Sequence, residues 1–175
     1  MFIKILLVIV VLIAAILAFA ATRADTFRVQ RSAVISAPSD KIFPLIDDFH
    51  NWATWSPYEK LDPAMKRTLS GEPSGKGAVY AWEGNSKAGE GRMEIIESTS
   101  TSRVVIKLDF LKPFEAHNTA EFTLQPQGDT TRVTWAMYGP APFIAKLMGL
   151  FFSMDKMIGK DFETGLNNLK TRTEK

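Results

Sequence analysis

Cysteine is absent from this 175-residue chain, and histidine occurs only twice, at His50 and His117. The absence of thiols excludes disulfides, thiolate metal sites, iron–sulfur clusters and cysteine nucleophiles. Two histidines far apart in sequence, one in an expected loop and one in an expected strand, do not predict a metal centre. We therefore expect neither a metal nor another cofactor.

An excess of charge of one sign is also missing. The chain carries 21 Lys and Arg residues against 19 Asp and Glu residues, a net charge of +2. Nucleic-acid binding normally needs a larger basic footprint, so no nucleic-acid partner is expected. Phosphate-binding glycine motifs are lacking as well, because Gly89-Glu90-Gly91 precedes a strand rather than a helix.

Apolar residues make up 46% of the chain and are concentrated at its start, where Ile5 to Ala21 form an uninterrupted apolar run of 17 residues. A helix from Met1 to Ala21 would be about 30 Å long, the thickness of a bilayer hydrocarbon core. We predict that residues 1–22 form a membrane anchor or a signal segment, with an anchor favoured over a cleaved signal because the run is long. A single-pass protein with its soluble domain on the outer, extracytoplasmic side is the expected arrangement.

The rest of the chain predicts an α+β domain. Alternating polarity over Phe27–Ser36 favours a first strand, and Ala37 to Asp47 favours a short helix. An aromatic, turn-rich segment follows from Asp48 to Pro63. Six further strands, separated by glycine and proline turns, are predicted at Met65–Ser70, Ala78–Glu83, Gly89–Ser98, Arg103–Phe110, Glu115–Gln125 and Thr131–Tyr138.

Beyond Pro142 the apolar period changes to that of a helix. One long helix is expected, with an apolar stripe formed by Phe143, Leu147, Phe151, Met154, Ile158, Phe162, Leu166 and Leu169. This order of elements describes a curved antiparallel sheet that packs around a C-terminal helix. The apolar segment from Pro142 to Phe152 is expected to pack on the sheet, with capping of a cavity or contact with a bilayer as alternatives.

The stretch from Asp48 to Pro57, the later Tyr80-Ala81-Trp82-Glu83-Gly84-Asn85 and the segment Gly89–Ile95 resemble the polyketide cyclase/dehydrase and lipid-transport family. This family belongs to the START-like, birch-pollen-allergen-like (SRPBCC) superfamily, and the resemblance covers residues 27–172. It implies a helix-grip fold with a deep cavity between sheet and helix that takes hydrophobic ligands. No catalytic motif of a subgroup can be matched in this sequence.

Several bulky side chains on the predicted strands and helix are candidates for the wall of such a cavity, although simple core packing is the alternative for each. Asn118 stands out because strand alternation places its amide among inward-facing residues, where it needs a polar partner. The candidate ligand-binding residues are Trp55, Trp82, Met93, Phe110, Asn118, Trp135, Met137, Phe151 and Met154.

The favoured hypothesis is a membrane-tethered binding module that holds a hydrophobic small molecule or lipid without catalysis. The alternative is a cyclase- or dehydratase-like enzyme in which Asn118, Glu94 or His117 transfers a proton. His117 shares a strand face with Glu115 and Glu121, which favours an exposed position instead. A third hypothesis, a scaffold that acts through its surface, predicts no sizeable cavity.

Overall fold

A computed structural model describes residues 2–174 and contains a seven-stranded antiparallel sheet in the spatial order β1-β7-β6-β5-β4-β3-β2. Each strand after β1 therefore pairs with the next along the chain, and β1 closes the far edge against β7. The strands are β1 Thr26–Ile35, β2 Lys66–Gly71, β3 Ala78–Glu83, β4 Glu90–Thr99, β5 Arg103–Lys112, β6 Ala116–Gln127 and β7 Thr130–Pro140. The predicted α+β helix-grip fold is confirmed, and the strand ends differ from prediction by at most two residues.

Four α-helices accompany the sheet: α1 Phe2–Ala21, α2 Ser39–Asp47, α3 Phe143–Met148 and α4 Met154–Thr173. The aromatic segment after α2 forms two short 3-10 helices, Phe49–Thr54 and Pro57–Lys60. Their aromatic rings pack into or against the core, which anchors this turn-rich segment to the sheet.

The prediction of one continuous C-terminal helix is wrong, because a turn over residues 149–153 separates α3 from α4. The N–H of Gly149 donates to the carbonyl of Ala145, and the N–H of Leu150 donates to the carbonyl of Leu147, where α3 ends. Ser153 then caps α4, its Oγ accepting a hydrogen bond from the N–H of Lys156 at 3.3 Å. The apolar spacing runs through this turn unchanged, so periodicity alone does not reveal the break.

Polar contacts with β1 hold α4 in place along its length. The Arg31 guanidinium donates to both carboxylate oxygens of Asp155, at 2.9 and 3.0 Å, and to Glu163 at 2.7 Å. Nearer the C-terminus, Glu174 accepts a hydrogen bond from the N–H of Ser36 at 2.6 Å. The pKa of Asp155 is lowered by the hydrogen bond from Arg31, and that of Glu174 by the backbone N–H. These contacts fix α4 over the β1 side of the sheet.

Helix α1 is the one helix within residues 2–174 that is long and apolar enough to cross a membrane, and a signal sequence has the same properties. Its side chains are exposed apart from Ala20, and it contacts α3. Asp25, just beyond α1, forms an ion pair with Lys146 of α3 and accepts a hydrogen bond from the N–H of Ala141 at 2.7 Å. The end of α1 is therefore tied to α3.

We expect Gly165→Ala in α4 to lower stability by about 1 kcal/mol, although alanine favours helix by up to about 1 kcal/mol. An added Cβ would lie 2.6 Å from the Trp135 ring and 3.1 Å from Pro57, so the close approach of α4 to β7 would be lost. Denaturant unfolding of the full chain in detergent measures the change. Asn167→Ala, at an exposed site of the same helix, is the matched control. Equal stability of the two variants would contradict the packing argument.

Candidate ligand cavity

A cavity of about 380 Å³ lies between the inner face of the sheet and the first half of α4. Strands β3 to β7 form its floor, while α4 and the 3-10 helix Pro57–Lys60 form the opposite side. Its wall is mainly apolar and aromatic, and its volume is within the range of pockets that hold small molecules. The gap is thus open rather than filled by the protein's own side chains.

Seven of the nine predicted residues border this cavity. They come from five strands and from α4: Trp82, Met93, Phe110, Asn118, Trp135, Met137 and Met154. Their shared position follows from strand alternation, because Trp82, Met93 and Phe110 occupy inward positions on three adjacent strands. Whether these residues bind a ligand stays a prediction.

Trp55 lies outside the cavity, in contrast to the prediction. Its side chain is only 1% exposed, and its indole N–H donates to the carbonyl of Leu45 at 2.7 Å. It packs edge-on against Trp135, with ring centroids 5.6 Å apart. Trp52, three residues earlier, borders the cavity instead. Both tryptophans lie in or next to a 3-10 helix, whose rotation decides which ring faces the cavity.

Phe151 also lies outside the cavity. It sits in the turn between α3 and α4 and is 69% exposed. The prediction placed it on the apolar stripe of one continuous helix, and the break at residues 149–153 removes it from that stripe. Met154, at the start of α4, does border the cavity.

The position of Trp82 depends on the glycine opposite it. Trp82 pairs across strands with Gly91, and a Cβ at residue 91 would lie 2.4 Å from the indole ring. The ring therefore lies across the bare backbone of β4, where it meets Phe110 edge-on at 5.8 Å. Its N–H donates to the carbonyl of Ala88 at 3.0 Å. The motif around Gly89–Ile95 thus positions one aromatic wall of the cavity.

Glu59 and Tyr80 form one polar part of the wall, and Glu59 is ion-paired with the partly exposed Arg67 behind it. The Glu59 side chain, 8% exposed, accepts hydrogen bonds from Arg67 Nε and from the Tyr80 hydroxyl, each at 2.6 Å. Burial and this hydrogen bond raise the pKa of Tyr80, so that its phenol remains a donor. No sequence pattern points to Glu59, because it lies in a turn-rich segment without periodicity.

A second polar part of the wall consists of Tyr58 and Asp161, on the 3-10 helix and on α4. Burial and the charge of Asp161 raise the pKa of Tyr58, while partial burial raises the pKa of Asp161. Asp161 is not among the predicted cavity residues either. Its place beside the α4 stripe, three residues after Ile158 and next to Phe162, is the signal that identifies it.

The three residues considered for proton transfer are separated by the sheet. Asn118 borders the cavity, whereas His117 and Glu94 lie on the outer face. His117 Nδ1 is 2.7 Å from Asp109, and that hydrogen bond raises the pKa of His117. Glu94 pairs with Arg92 at 2.9 Å. The outer-face position of His117 agrees with strand alternation.

The cavity wall carries acidic but no basic side chains within the described residues 2–174. Glu59 and Asp161 contribute carboxyl groups, and no Lys, Arg or His borders the space. Across the same part of the chain, no group of three His, Asp or Glu side chains is arranged to hold a metal ion. The polar groups that remain can exchange hydrogen bonds with a neutral ligand.

Comparison with protein families gives one match, described as polyketide cyclase / dehydrase and lipid transport, over residues 26–174. No curated protein matches.

Many solved structures share the fold at low sequence identity. A protein from Thermobifida fusca has a TM-score of 0.63 at 22% identity, with 83% of this chain and 92% of that chain covered. The major latex-like protein 151 from Panax ginseng has a TM-score of 0.60 at 12% identity and coverage of 86% and 99%. The di-domain ARO/CYC protein BexL of the BE-7585A biosynthetic pathway has a TM-score of 0.63 at 18% identity. The match covers 89% of this chain and 52% of BexL.

We expect Arg67→Met to destabilise the full chain by about 2 kcal/mol, because it leaves the buried Glu59 carboxylate without its cation. Adding Glu59→Gln to this variant removes the unpaired charge and should restore most of the loss. The matched control is Arg92→Met, which breaks the exposed pair with Glu94 and should cost less than about 0.5 kcal/mol. Denaturant unfolding measures all four proteins. A loss no larger than that of the control would contradict the role of the pair.

Proposed function

Because the chain belongs to the polyketide cyclase/dehydrase and lipid-transport family, we propose that it is a membrane-anchored carrier that holds one hydrophobic small molecule or lipid. The supporting observation is the open apolar cavity between the sheet and α4. Burial of apolar area contributes about 25 cal/mol per Å², so a ligand that buries about 300 Å² gains roughly 7 kcal/mol before association costs. Binding of this kind requires no catalytic group.

The anchor in this proposal is α1. Its 20 residues make a helix of about 30 Å, which matches the apolar thickness of a bilayer. We place the folded domain on the outer side, as expected for an export-type apolar leader. Tethering keeps the cavity beside a lipid phase and raises the effective concentration of lipid-soluble ligands.

Two of the three candidate catalytic residues of the enzyme alternative do not face the cavity. His117 and Glu94 point away from the cavity, so neither reaches a bound molecule. Asn118 does border the cavity, but an amide side chain does not act as an acid or base near neutral pH. The carrier reading needs only the apolar wall, and for this reason we favour it.

The charge of the wall also favours a ligand class. A carboxylate or phosphate in the cavity would be repelled by Asp161 and would find no cation on the wall to pair with, whereas Arg67 already neutralises Glu59. A neutral molecule avoids this repulsion, and a hydroxyl group on it can bond to Asn118 or to the Tyr58 hydroxyl. We therefore propose that the carried molecule is uncharged and largely apolar.

The carrier proposal predicts that a photoactivatable, diazirine-bearing fatty alcohol in nanodiscs labels the cavity of the full chain. Peptides from β3–β7 should carry the label, and α1, which faces lipid in any case, serves as the internal standard. Ala120→Phe projects a ring into the cavity from β6 and should reduce the ratio of cavity to α1 labelling about ten-fold, equivalent to about 1.4 kcal/mol. Peptide mass spectrometry gives this ratio.

The matched control is Thr119→Phe, which places the same ring on the outer face of the same strand. It should leave the labelling ratio unchanged. Cavity peptides that remain unlabelled in the unmodified chain, or equal labelling in the two variants, would overturn the carrier proposal.

The charge preference makes a separate prediction. A diazirine-bearing fatty acid of the same chain length, at a pH where it is ionised, should label the cavity about ten-fold less than the alcohol. Asp161→Asn should narrow this difference, since it removes one repelling carboxylate. Equal labelling by acid and alcohol would refute the charge preference while leaving the carrier proposal intact.

A further inference from the structure

Large apolar side chains are exposed in a pattern that the fold does not require. Within residues 22–174, the most exposed large apolar side chains all lie in two segments, residues 111–114 and residues 143–157. Phe114 is 79% exposed, and Phe151 and Phe152 are exposed to a similar degree. Contiguous exposed apolar surface marks a protein or membrane contact. We call residues 111–114 and 143–154 the apolar rim.

Both parts of the rim lie at the same end of the sheet. The register pairs Phe27 with Gly139, Thr119 with Tyr138 and Phe110 with Ala116. The start of β1, the end of β7 and the β5–β6 turn therefore share one end, which is also the end where α1 joins the domain.

The rim also adjoins the cavity on two sides. Phe110 and Ala116, which flank the β5–β6 turn, border the cavity, and so does Met154 at the end of the second rim segment. A surface that covers the rim therefore lies beside the cavity wall.

The link to α1 limits how far the rim lies from the end of that helix. Asp25 holds α3 through its ion pair with Lys146 and its backbone bond to Ala141. Four residue steps separate Ala21 from Asp25, a path of at most about 14 Å. A bilayer is about 40–45 Å thick in total and its hydrocarbon core is about 30 Å thick, so the polar headgroup layer on each side is several ångströms deep. When α1 spans, Asp25, and with it the Lys146 side chain of α3, therefore lies within about 14 Å of the end of α1.

The charges in the rim do not oppose contact with lipid. The rim contains two charged side chains, Lys112 and Lys146, and they pair with Glu90 and Asp25. Beside α1, the Arg23 guanidinium lies over the Phe19 ring at 5.1 Å, an arrangement suited to the interface between apolar core and water. No unpaired charge within the rim would need to leave water.

We propose that the apolar rim inserts into the interfacial layer of the same bilayer that α1 enters, so that the cavity lies directly above lipid. This inference rests on the proposed membrane anchoring by α1. A bilayer is chosen over a second copy of the chain because α1 already brings it within reach of the rim. Docking would let a ligand pass between lipid and cavity with little exposure to water.

The absence of cysteine makes this proposal directly testable. Phe151→Cys and Phe114→Cys each introduce one thiol into the full chain, at positions exposed enough for the fold to tolerate the change. Ile96→Cys is the matched control, because Ile96 is also an exposed apolar residue but lies toward the opposite end of β4. Each thiol is labelled with an environment-sensitive dye, and the chain is reconstituted in phosphatidylcholine vesicles with or without doxyl-labelled phosphatidylcholine.

The rim positions should show blue-shifted emission and several-fold stronger quenching by the doxyl lipid than Ile96. Equal, weak quenching at all three positions in vesicle-bound protein would overturn docking while leaving the anchor in place. A blue shift without quenching would show that a second copy of the chain or another protein covers the rim, and would also overturn the proposal. Failure of the unlabelled chain to float with vesicles would refute the anchor itself, and docking with it.

Discussion

The contacts that hold α4 against the edge strand β1 determine where the cavity lies. Arg31 binds Asp155 and Glu163, and Phe162 stacks on Trp135 with ring centroids 4.1 Å apart. The helix is thereby held over β1 and β7, and the inner faces of β3 to β5 border open space instead of a helix. A helix centred on the sheet would cover those strands, so these one-sided contacts are the origin of the cavity.

The wall of this cavity divides its polar groups into two kinds. Glu59 is saturated by Arg67 and Tyr80, and it stabilises the wall because the carboxylate and its partners satisfy one another. Tyr58 and Asp161 lack such partners within residues 2–174, so they are free to bond to a guest. Specificity in apolar pockets usually comes from a few groups of the second kind. The carboxyl group among them is what sets the expected preference for neutral ligands.

The strands could be predicted from sequence because each depends on local signals, alternation and glycine turns, that the tertiary structure does not override. The cavity residues on strands followed from the same alternation. The errors concern features with no local signal: the apolar stripe continues through the turn at Phe151, and a 3-10 helix decides between Trp52 and Trp55. Glu59 could not be predicted, because its role depends on an ion pair with Arg67 and a hydrogen bond from Tyr80, and these three residues lie on three different elements.

The break between α3 and α4, which the sequence conceals, links the cavity to the proposed membrane contact. A continuous helix would place Phe151 on the buried stripe and leave no apolar segment free. Because the chain turns at residues 149–153, α3 departs from the sheet and meets α1, while α4 begins at the cavity. The turn thus separates α3, which can contact lipid, from α4, which borders the cavity. In the proposed arrangement, α1, the apolar rim and the cavity are adjacent, so that transfer from lipid would need no long path through water.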